Sequence, residues 1–343
     1  MARERMRAVT VPEFGGPEVL RVAELPVPEP GPGQISVDVE YAGVNFAEIL
    51  YRQGFRDVPL PFVPGIEVAG RVRALGPGVD GPEPGRPVAA LTVVDSGGYA
   101  EVVVTDAELV APLDEPVVGG GLAVVASDGP GPSAQVAAAV PSNSTTAFFA
   151  LDRVARIEPG ESVLVHAAAG GLGGQVGQAA RLLGAGRVVG TVGSAAKAPV
   201  ARRFGFDEVV LRDELPSRVA ALTGGAGFDI AVDMVGGPAR RASLEALAPL
   251  GRLVVLGNAS SAEDVPVSAN GLWLSARTVS GFNLGAIAAA RPADIGRALR
   301  RAVAAAVSGD LRVEVEELPL EAAAEAHRRL GSGTTTGKLV LKV

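Results

Sequence analysis

The stretch Ser162–Phe206, SVLVHAAAGGLGGQVGQAARLLGAGRVVGTVGSAAKAPVARRFGF, decides the fold. Ser162–His166 is a short apolar run of the kind a buried parallel strand needs. The small residues Ala168, Gly170, Gly171 and Gly173 follow, and then a helical pattern with Val176, Ala179, Ala180 and Leu183 on one face. Strand, glycine-rich turn and helix match the dinucleotide-binding fingerprint, here A-x-G-x-x-G over Ala168–Gly173. A residue without a side chain lets the backbone approach a pyrophosphate, and the helix N-terminus offers unpaired N–H groups and positive dipole to hold it. With 45 glycines in 343 residues a glycine triplet alone decides little. The next apolar strand, Arg187–Val192, lies at the βαβ distance and gives the motif its context.

The same stretch bears on the choice of nucleotide. A site for NAD carries an Asp or Glu about 20 residues beyond the glycines, to bind the ribose hydroxyls. Here no acid occurs between Glu161 and Asp207, although acids outnumber bases 38 to 31 over the chain. The window holds Arg181, Arg187, Lys197, Arg202 and Arg203 instead. Arg181 and Arg187 read as bases that merely solvate helix faces. Gly193, Ser194 and Lys197 form a short polar, cationic rim suited to a 2′-phosphate, so NADPH is the expected cofactor.

Working outward, strand and helix patterns continue to alternate. Strands are expected at Glu208–Val210, Phe228–Asp233 and Arg252–Leu256, with a further one near Thr278–Gly281. Helices are expected at Gly173–Leu183, Ala195–Phe204, Leu215–Leu222 and Ala239–Leu247. Together they make a six-stranded, doubly wound parallel sheet. Residues 1–110 read differently, as short strands (Met6–Val11, Ile35–Tyr41, Ile66–Leu75, Val88–Val93, Tyr99–Val104) between Pro- and Gly-rich turns. One helical turn, Asn45–Arg52, interrupts them. Residues 112–135 have no clear period, and a loop of that length is a lid, a pocket wall or a plain surface loop. Helical character resumes over Val136–Ile157, with a polar interruption at Ser142–Thr146. A long helix, Arg291–Ser308, precedes strand, helix and strand at Val313–Leu318, Glu321–Leu330 and Lys338–Val343. The expected class is α/β: a small β-barrel-like domain beside a Rossmann sheet, with domains at 1–135, 136–284 and a tail, 285–343, returning to the first.

Composition excludes several chemistries. A net charge of −7 argues against nucleic acid or an anionic membrane as partner. The absence of cysteine removes disulfides, thiolate metal sites and cysteine nucleophiles together. The start, MARERMRAVTV, has no apolar run of signal-peptide type, and a cytoplasmic protein is expected. Ser142 and Ser144 stand in no nucleophile-elbow context.

Several ordered motifs resemble one superfamily: YAGVNFAEILYRQG, PFVPGIEVAGRVRALGPGV and SGGYAEVVV, then LVHAAAGGLGGQVGQAAR, DMVGG, GRLVVLGNASS and SGTTTGKLVLKV. The chain is similar to medium-chain dehydrogenases/reductases, within them to the zinc-independent quinone oxidoreductase branch that includes ζ-crystallin-like proteins. The resemblance implies a GroES-like domain made from both chain ends, a central Rossmann domain and a homodimer. Zinc-dependent relatives carry Cys in the first motif and His in a G-H-E motif, which here reads Gly65-Ile66-Glu67. The two histidines, His166 and His327, read as structural, and no metal is expected.

The resemblance also implies site residues. Asn45 contacts the nicotinamide ribose region, and Asn is equally a preferred helix N-cap. Tyr51 lines the substrate site, where a phenol donates a hydrogen bond or relays a proton, against plain packing as the alternative. Both are the candidate catalytic residues. Glu48 reads as a structural anchor. Thr146 lies near the nicotinamide, and Gly170, Gly171, Leu172 and Gly173 cradle the pyrophosphate. Gly193, Ser194 and Lys197 take the 2′-phosphate, and Arg212 approaches the adenine. Leu256, Asn258, Phe282 and Asn283 border the nicotinamide, and Lys338 reaches the cofactor. The implied reaction is hydride transfer from NADPH to a small-molecule quinone or α,β-unsaturated carbonyl. The alternatives are an enoyl reductase acting on thioester-bound acyl chains, a catalytically weak NADPH-binding sensor, and a plain nucleotide-binding α/β protein.

Overall fold

A computed structural model describes residues 4–55, 58–114 and 132–343. The chain opens with β1 (Arg5–Thr10), β2 (Arg21–Pro26) and β3 (Gln34–Gly43), followed by helix α1 (Phe46–Arg52). Next come β4 (Glu67–Leu75), β5 (Pro87–Leu91), β6 (Val102–Asp106) and β7 (Val110–Pro112). Helix α2 (Ala134–Ala137) leads to α3 (Pro141–Phe149), which runs on into a π-helical segment, Ala150–Ala155. The alternating part is β8 (Ser162–Val165), α4 (Gly171–Leu182), β9 (Arg187–Val192), α5 (Ala198–Arg203), β10 (Glu208–Leu211) and α6 (Leu215–Thr223). It continues with β11 (Phe228–Asp233), α7 (Pro238–Ala246), β12 (Leu247–Val255), α8 (Ala269–Ser275) and β13 (Thr278–Gly281). The tail is α9 (Leu284–Ala290), α10 (Pro292–Val307), β14 (Val315–Pro319), α11 (Ala323–Gly331) and β15 (Lys338–Lys342).

The chain divides into two compact units, Met1–Thr145 with Leu284–Val343, and Thr146–Asn283. In the first, β3 is the spine. It pairs antiparallel with β4 and β6, and its far end pairs antiparallel with the C-terminal β15. The described strands form a seven-stranded sheet in the order β14-β15-β3-β4-β5-β7, with β6 on β3. Ile35, Val37 and Val39 alternate along β3 and pack with Val68, Val72, Val88, Leu339 and Leu341 into one apolar core. Register then sets the chemistry. Gly43 pairs with Val340, and Ala42 pairs with Val68, so the chain just past β3 runs between the starts of β4 and β15. Asn45 is therefore flanked by Glu67 and Lys338.

In the second unit, six described strands lie in the order β10-β9-β8-β11-β12-β13, every pairing parallel. The reversal of winding falls between β8 and β11, beside the fingerprint turn. Small residues let α4 settle on the sheet. A Cβ on Gly173 would stand 2.2 Å from the carbonyl oxygen of Ala167, and one on Gly177 would meet the Phe206 ring at 2.4 Å. Leu164, Val189, Ala231 and Leu253 fill the core of this sheet.

The structure departs from expectation at several places. Helix α3 runs without a break through Ser142–Thr146, where a polar interruption was expected. Ser144 and Thr145 are fully buried, and a carboxylate from a strand takes the Ser142 N–H, so this polar run lies on a buried helix rather than ending it. The first unit runs on to Thr145, ten residues beyond the expected boundary at 135/136. β12 begins at Leu247, five residues before the expected Arg252, because Leu250 takes a left-handed conformation (φ 64°) that carries the strand through the Pro-Leu-Gly sequence. The stretch 112–135 lies for the most part, 115–131, outside the described residues.

The Gly173 contact is with backbone, which cannot swing aside. Gly173→Ala is expected to cost about 1–3 kcal/mol of stability, the range for overpacking, measured by urea unfolding followed by circular dichroism.

Candidate functional site

One polar cluster in the first unit gathers residues from both chain ends. Asn45 caps α1 through a capping box: the Asn45 N–H donates to Glu48 Oε2 at 2.8 Å while the Asn45 side chain takes the N3 backbone N–H. Its side-chain amide is held as well. Nδ2 donates to Glu67 Oε1 at 2.8 Å, and Oδ1 accepts from the Lys338 ammonium. Lys338 forms an ion pair with Glu67 at 2.5 Å, with side-chain exposures of 3% and 0%. Glu48 is fully buried and also accepts from the Ile66 N–H at 3.0 Å and the Tyr99 hydroxyl at 2.5 Å. Burial pushes its carboxyl up to about 7, against the opposing pull of the Tyr99 hydroxyl, the Asn45 N–H and the Lys338 charge. Tyr99 also meets His327 Nε2 at 3.2 Å. Burial, aided by Arg52, holds that imidazole down at about 3. Tyr51 is half-buried in the last turn of α1.

The arrangement changes the reading of two residues. Lys338, expected to reach the cofactor, directs its ammonium to Glu67 and Asn45. Asn45 commits its amide to the same pair, so its capping role and its hold on the cluster are what the geometry displays. Thr146 is buried in α3. Beside it in sequence, the buried Thr145 Oγ1 has no hydrogen-bond partner among the described residues.

The second unit brings together the residues expected at a nucleotide. α4 starts at Gly171 after Gly170, which has extended backbone and no capping side chain, so the first-turn N–H groups are not covered by a cap. Ala167 takes a left-handed φ of 53° to turn the chain out of β8. At the next strand end, Val192 pairs with Leu211, which places Gly193 beside Arg212. A Cβ on Gly193 would lie 3.5 Å from Arg212 Nη2. The buried Arg212 Nε has no hydrogen-bond partner among the described residues. Lys197 is near enough for the Arg212 charge, after burial, to lower its pKa. Arg212 thus stands beside the exposed Gly193-Ser194 turn, with Lys197 following in the next helical turn, an arrangement for an anion. Arg181 and Arg187 instead pair with Asp207 and Glu208.

The loops beyond β11 and β12 are held by an arginine that the sequence reading did not single out. Asp233, fully buried at the end of β11, accepts the Val235 and Gly236 N–H groups and Arg240 Nε at 3.0 Å. Arg240 also donates to Asp264 Oδ1 at 2.7 Å and to the Gly257 carbonyl at 2.6 Å. The available signal was an acid ending a strand with an arginine one turn into the next helix. This clamp fixes the segment that carries Leu256 and Asn258. The Asn258 amide serves its own loop, donating to the Ala262 carbonyl at 2.8 Å and accepting from Ser260 at 3.2 Å. Phe282 stacks on Phe149 at 4.9 Å, and Asn283 follows it, exposed.

A family model described as a zinc-binding dehydrogenase matches residues 171–303, and one described as an alcohol dehydrogenase GroES-like domain matches residues 31–115. Quinone oxidoreductase of Pseudomonas aeruginosa is 33% identical over 96% of this chain and 97% of its own. Pikromycin polyketide synthase component PikAII of Streptomyces venezuelae is 35% identical over 93% of this chain, which spans 8% of that protein. The crystal structure of Escherichia coli quinone oxidoreductase complexed with NADPH matches with a TM-score of 0.85 and 30% identity, over 98% of this chain and 100% of that one. The chain belongs to the medium-chain dehydrogenase/reductase superfamily, in its zinc-independent quinone oxidoreductase branch.

The zinc named in one model's description does not fit this donor set. The chain has no cysteine, and its two histidines belong to different units, each hydrogen-bonded to hydroxyls. Among the described residues no group of three or more His, Cys, Asp or Glu converges on one point. No helix among them is long and apolar enough to cross a membrane.

His166 closes β8 between Thr191 Oγ1 and Ser243 Oγ, each at 2.7 Å. Burial lowers its pKa to about 4; Asp233 opposes the shift and Arg212 adds to it. An unfolded histidine titrates near 6.5, so between about 6.5 and 4 the unfolded state binds the extra proton. The stability His166 contributes is therefore complete above 6.5 and lost as pH falls towards 4. Relative to His166→Gln, the wild-type chain is expected to lose about 1.4 kcal/mol per pH unit across that window, measured by urea unfolding from pH 7 to pH 4.

Proposed function

We propose that this chain is an NADPH-dependent oxidoreductase that reduces a quinone or an α,β-unsaturated carbonyl. The observation that carries the reading is the paired Lys197 and Arg212 beside the Gly193-Ser194 turn, on a fingerprint with no acid to bind a ribose diol. NADPH fits the donors present: uncapped N–H groups at α4 for the pyrophosphate, and a guanidinium with an unpartnered Nε for the 2′-phosphate. Hydride transfer is the chemistry it supplies when bound.

The chain's own residues do the rest. Gly170, Gly171, Leu172 and Gly173 present backbone to the diphosphate, and Ser194, Lys197 and Arg212 hold the 2′-phosphate. Thr146, Phe282 and Asn283 border the nicotinamide, with Leu256 and Asn258 on the loop clamped by Arg240. Tyr51 donates a hydrogen bond to the acceptor oxygen and polarises it as negative charge develops there. Asn45 holds the start of the helix that carries Tyr51. The similarity to a named quinone oxidoreductase along nearly the whole of both chains supports the acceptor class. A cytoplasmic homodimer goes with this reading and rests on the family alone.

The 35% identity to a polyketide synthase component favours a second acceptor, an enoyl thioester on a carrier arm. Turnover of crotonyl-pantetheine against 1,4-benzoquinone separates the two, and the faster substrate names the class.

Loss of one charge-assisted hydrogen bond is worth about 1.5–3 kcal/mol, roughly 10- to 100-fold in affinity. Lys197→Ala and Arg212→Ala are each expected to weaken NADPH binding by that factor while leaving NADH binding unchanged, as read by nicotinamide fluorescence. Equal loss for both cofactors would remove the 2′-phosphate assignment.

A further inference from the structure

We propose that Glu67 and Lys338 are positioning residues for the reductase reaction: one buried carboxylate, neutralised by one buried ammonium, ties the start of α1 to the start of α3. Those helices carry Asn45 and Tyr51 on one side and Thr146 on the other, so the inference rests on the function proposed above.

Glu67 uses its oxygens in two directions. Oε1 accepts from Asn45 Nδ2 at 2.8 Å and from the Lys338 ammonium at 2.5 Å. Oε2 accepts from the Ser142 N–H at 2.8 Å. Ser142 is the second residue of α3, whose first is a proline and whose first turn holds no acid. Glu67 therefore caps α3 from another strand, where a negative charge also meets the positive end of the helix dipole. Space for it is made by Gly43: a Cβ there would stand 2.4 Å from Glu67 Oε1 and 2.6 Å from the Ala138 carbonyl oxygen.

Stability alone does not call for this arrangement. Well-packed neutral side chains often replace a buried ion pair without loss. What neutral groups do not reproduce is the valence. A carboxylate accepts from three donors on two sides, whereas a glutamine presents one accepting end and one donating end. Glu67→Gln faces either Ser142 or the Asn45–Lys338 side with N–H against N–H. In Glu67→Gln/Lys338→Met the misfit at position 67 is relieved once the Asn45 amide turns over, which takes its oxygen from the Glu48 backbone N–H, so the fold is kept while the start of α1 is reset.

The test compares wild type, Glu67→Gln, Lys338→Met and the double variant by melting temperature, NADPH titration, and kcat and KM for 1,4-benzoquinone. Misplacement by a fraction of an ångström is expected to lower NADPH affinity and kcat about tenfold or more. The double variant is expected to melt above Lys338→Met, with kcat still reduced at saturating NADPH and the benzoquinone KM little changed. Recovery of stability without recovery of kcat is the signature of positioning. A double variant equal to wild type in affinity and kcat overturns the proposal. Glu67→Gln alone carries the same two readouts if the double variant does not fold. A wild type that binds NADPH but reduces no acceptor defeats the acceptor assignment only, and the affinities then decide this inference. A wild type that binds no NADPH overturns both.

Discussion

The carboxylate of Glu67 is buried at the point where three strand ends meet, and the first unit is arranged around keeping it satisfied. An uncompensated charge in such a place costs several kcal/mol. The Lys338 ammonium supplies the countercharge from the last strand, and Asn45 and Ser142 supply neutral donors. The register of β3 with β4 and β15 is what brings these residues together. The C-terminal strand thus contributes a charge as well as backbone pairing. Glu48, one turn along α1, is buried too and accepts from backbone and phenol donors, and burial raises its carboxyl.

The second unit relies on close approach rather than charge. Gly173 and Gly177 let α4 lie against the turn from β8 and against Phe206, leaving the first N–H groups of α4 uncapped at the end of the sheet. Positive charge is then added from two neighbouring strand ends, Lys197 after β9 and Arg212 after β10. Arg181 pairs with Asp207, Arg187 with Glu208, and Arg240 with Asp233 and Asp264.

Much of this was legible in the sequence, for reasons that can be named. β9 and β11 match their expected bounds because buried parallel strands are continuous apolar runs closed by turn residues. The fingerprint and the acid-free window were readable because both are local. What stayed hidden is long-range or buried and polar. No local signal tells that Lys338 is buried and paired with Glu67, since sequence spacing says nothing about which cation loses its water. Ser142–Thr146 read as a break because polarity usually marks exposure, yet here it lies on a buried helix. β2 was missed because its pairing with β1 leaves most of its residues at least partly exposed, so RVAELP shows no clean apolar face.

On the function proposed above, this fold passes hydride from NADPH to a conjugated acceptor. The most direct measurement is the rate at which NADPH and its 4-deuterated form are oxidised by 1,4-benzoquinone in single-turnover mixing, with NADH run alongside. Enzyme-dependent oxidation is expected, slower with deuterium at the transferred position and slower with NADH at equal concentration. Oxidation that is no faster than without protein, or that shows no preference for NADPH over NADH, would contradict it.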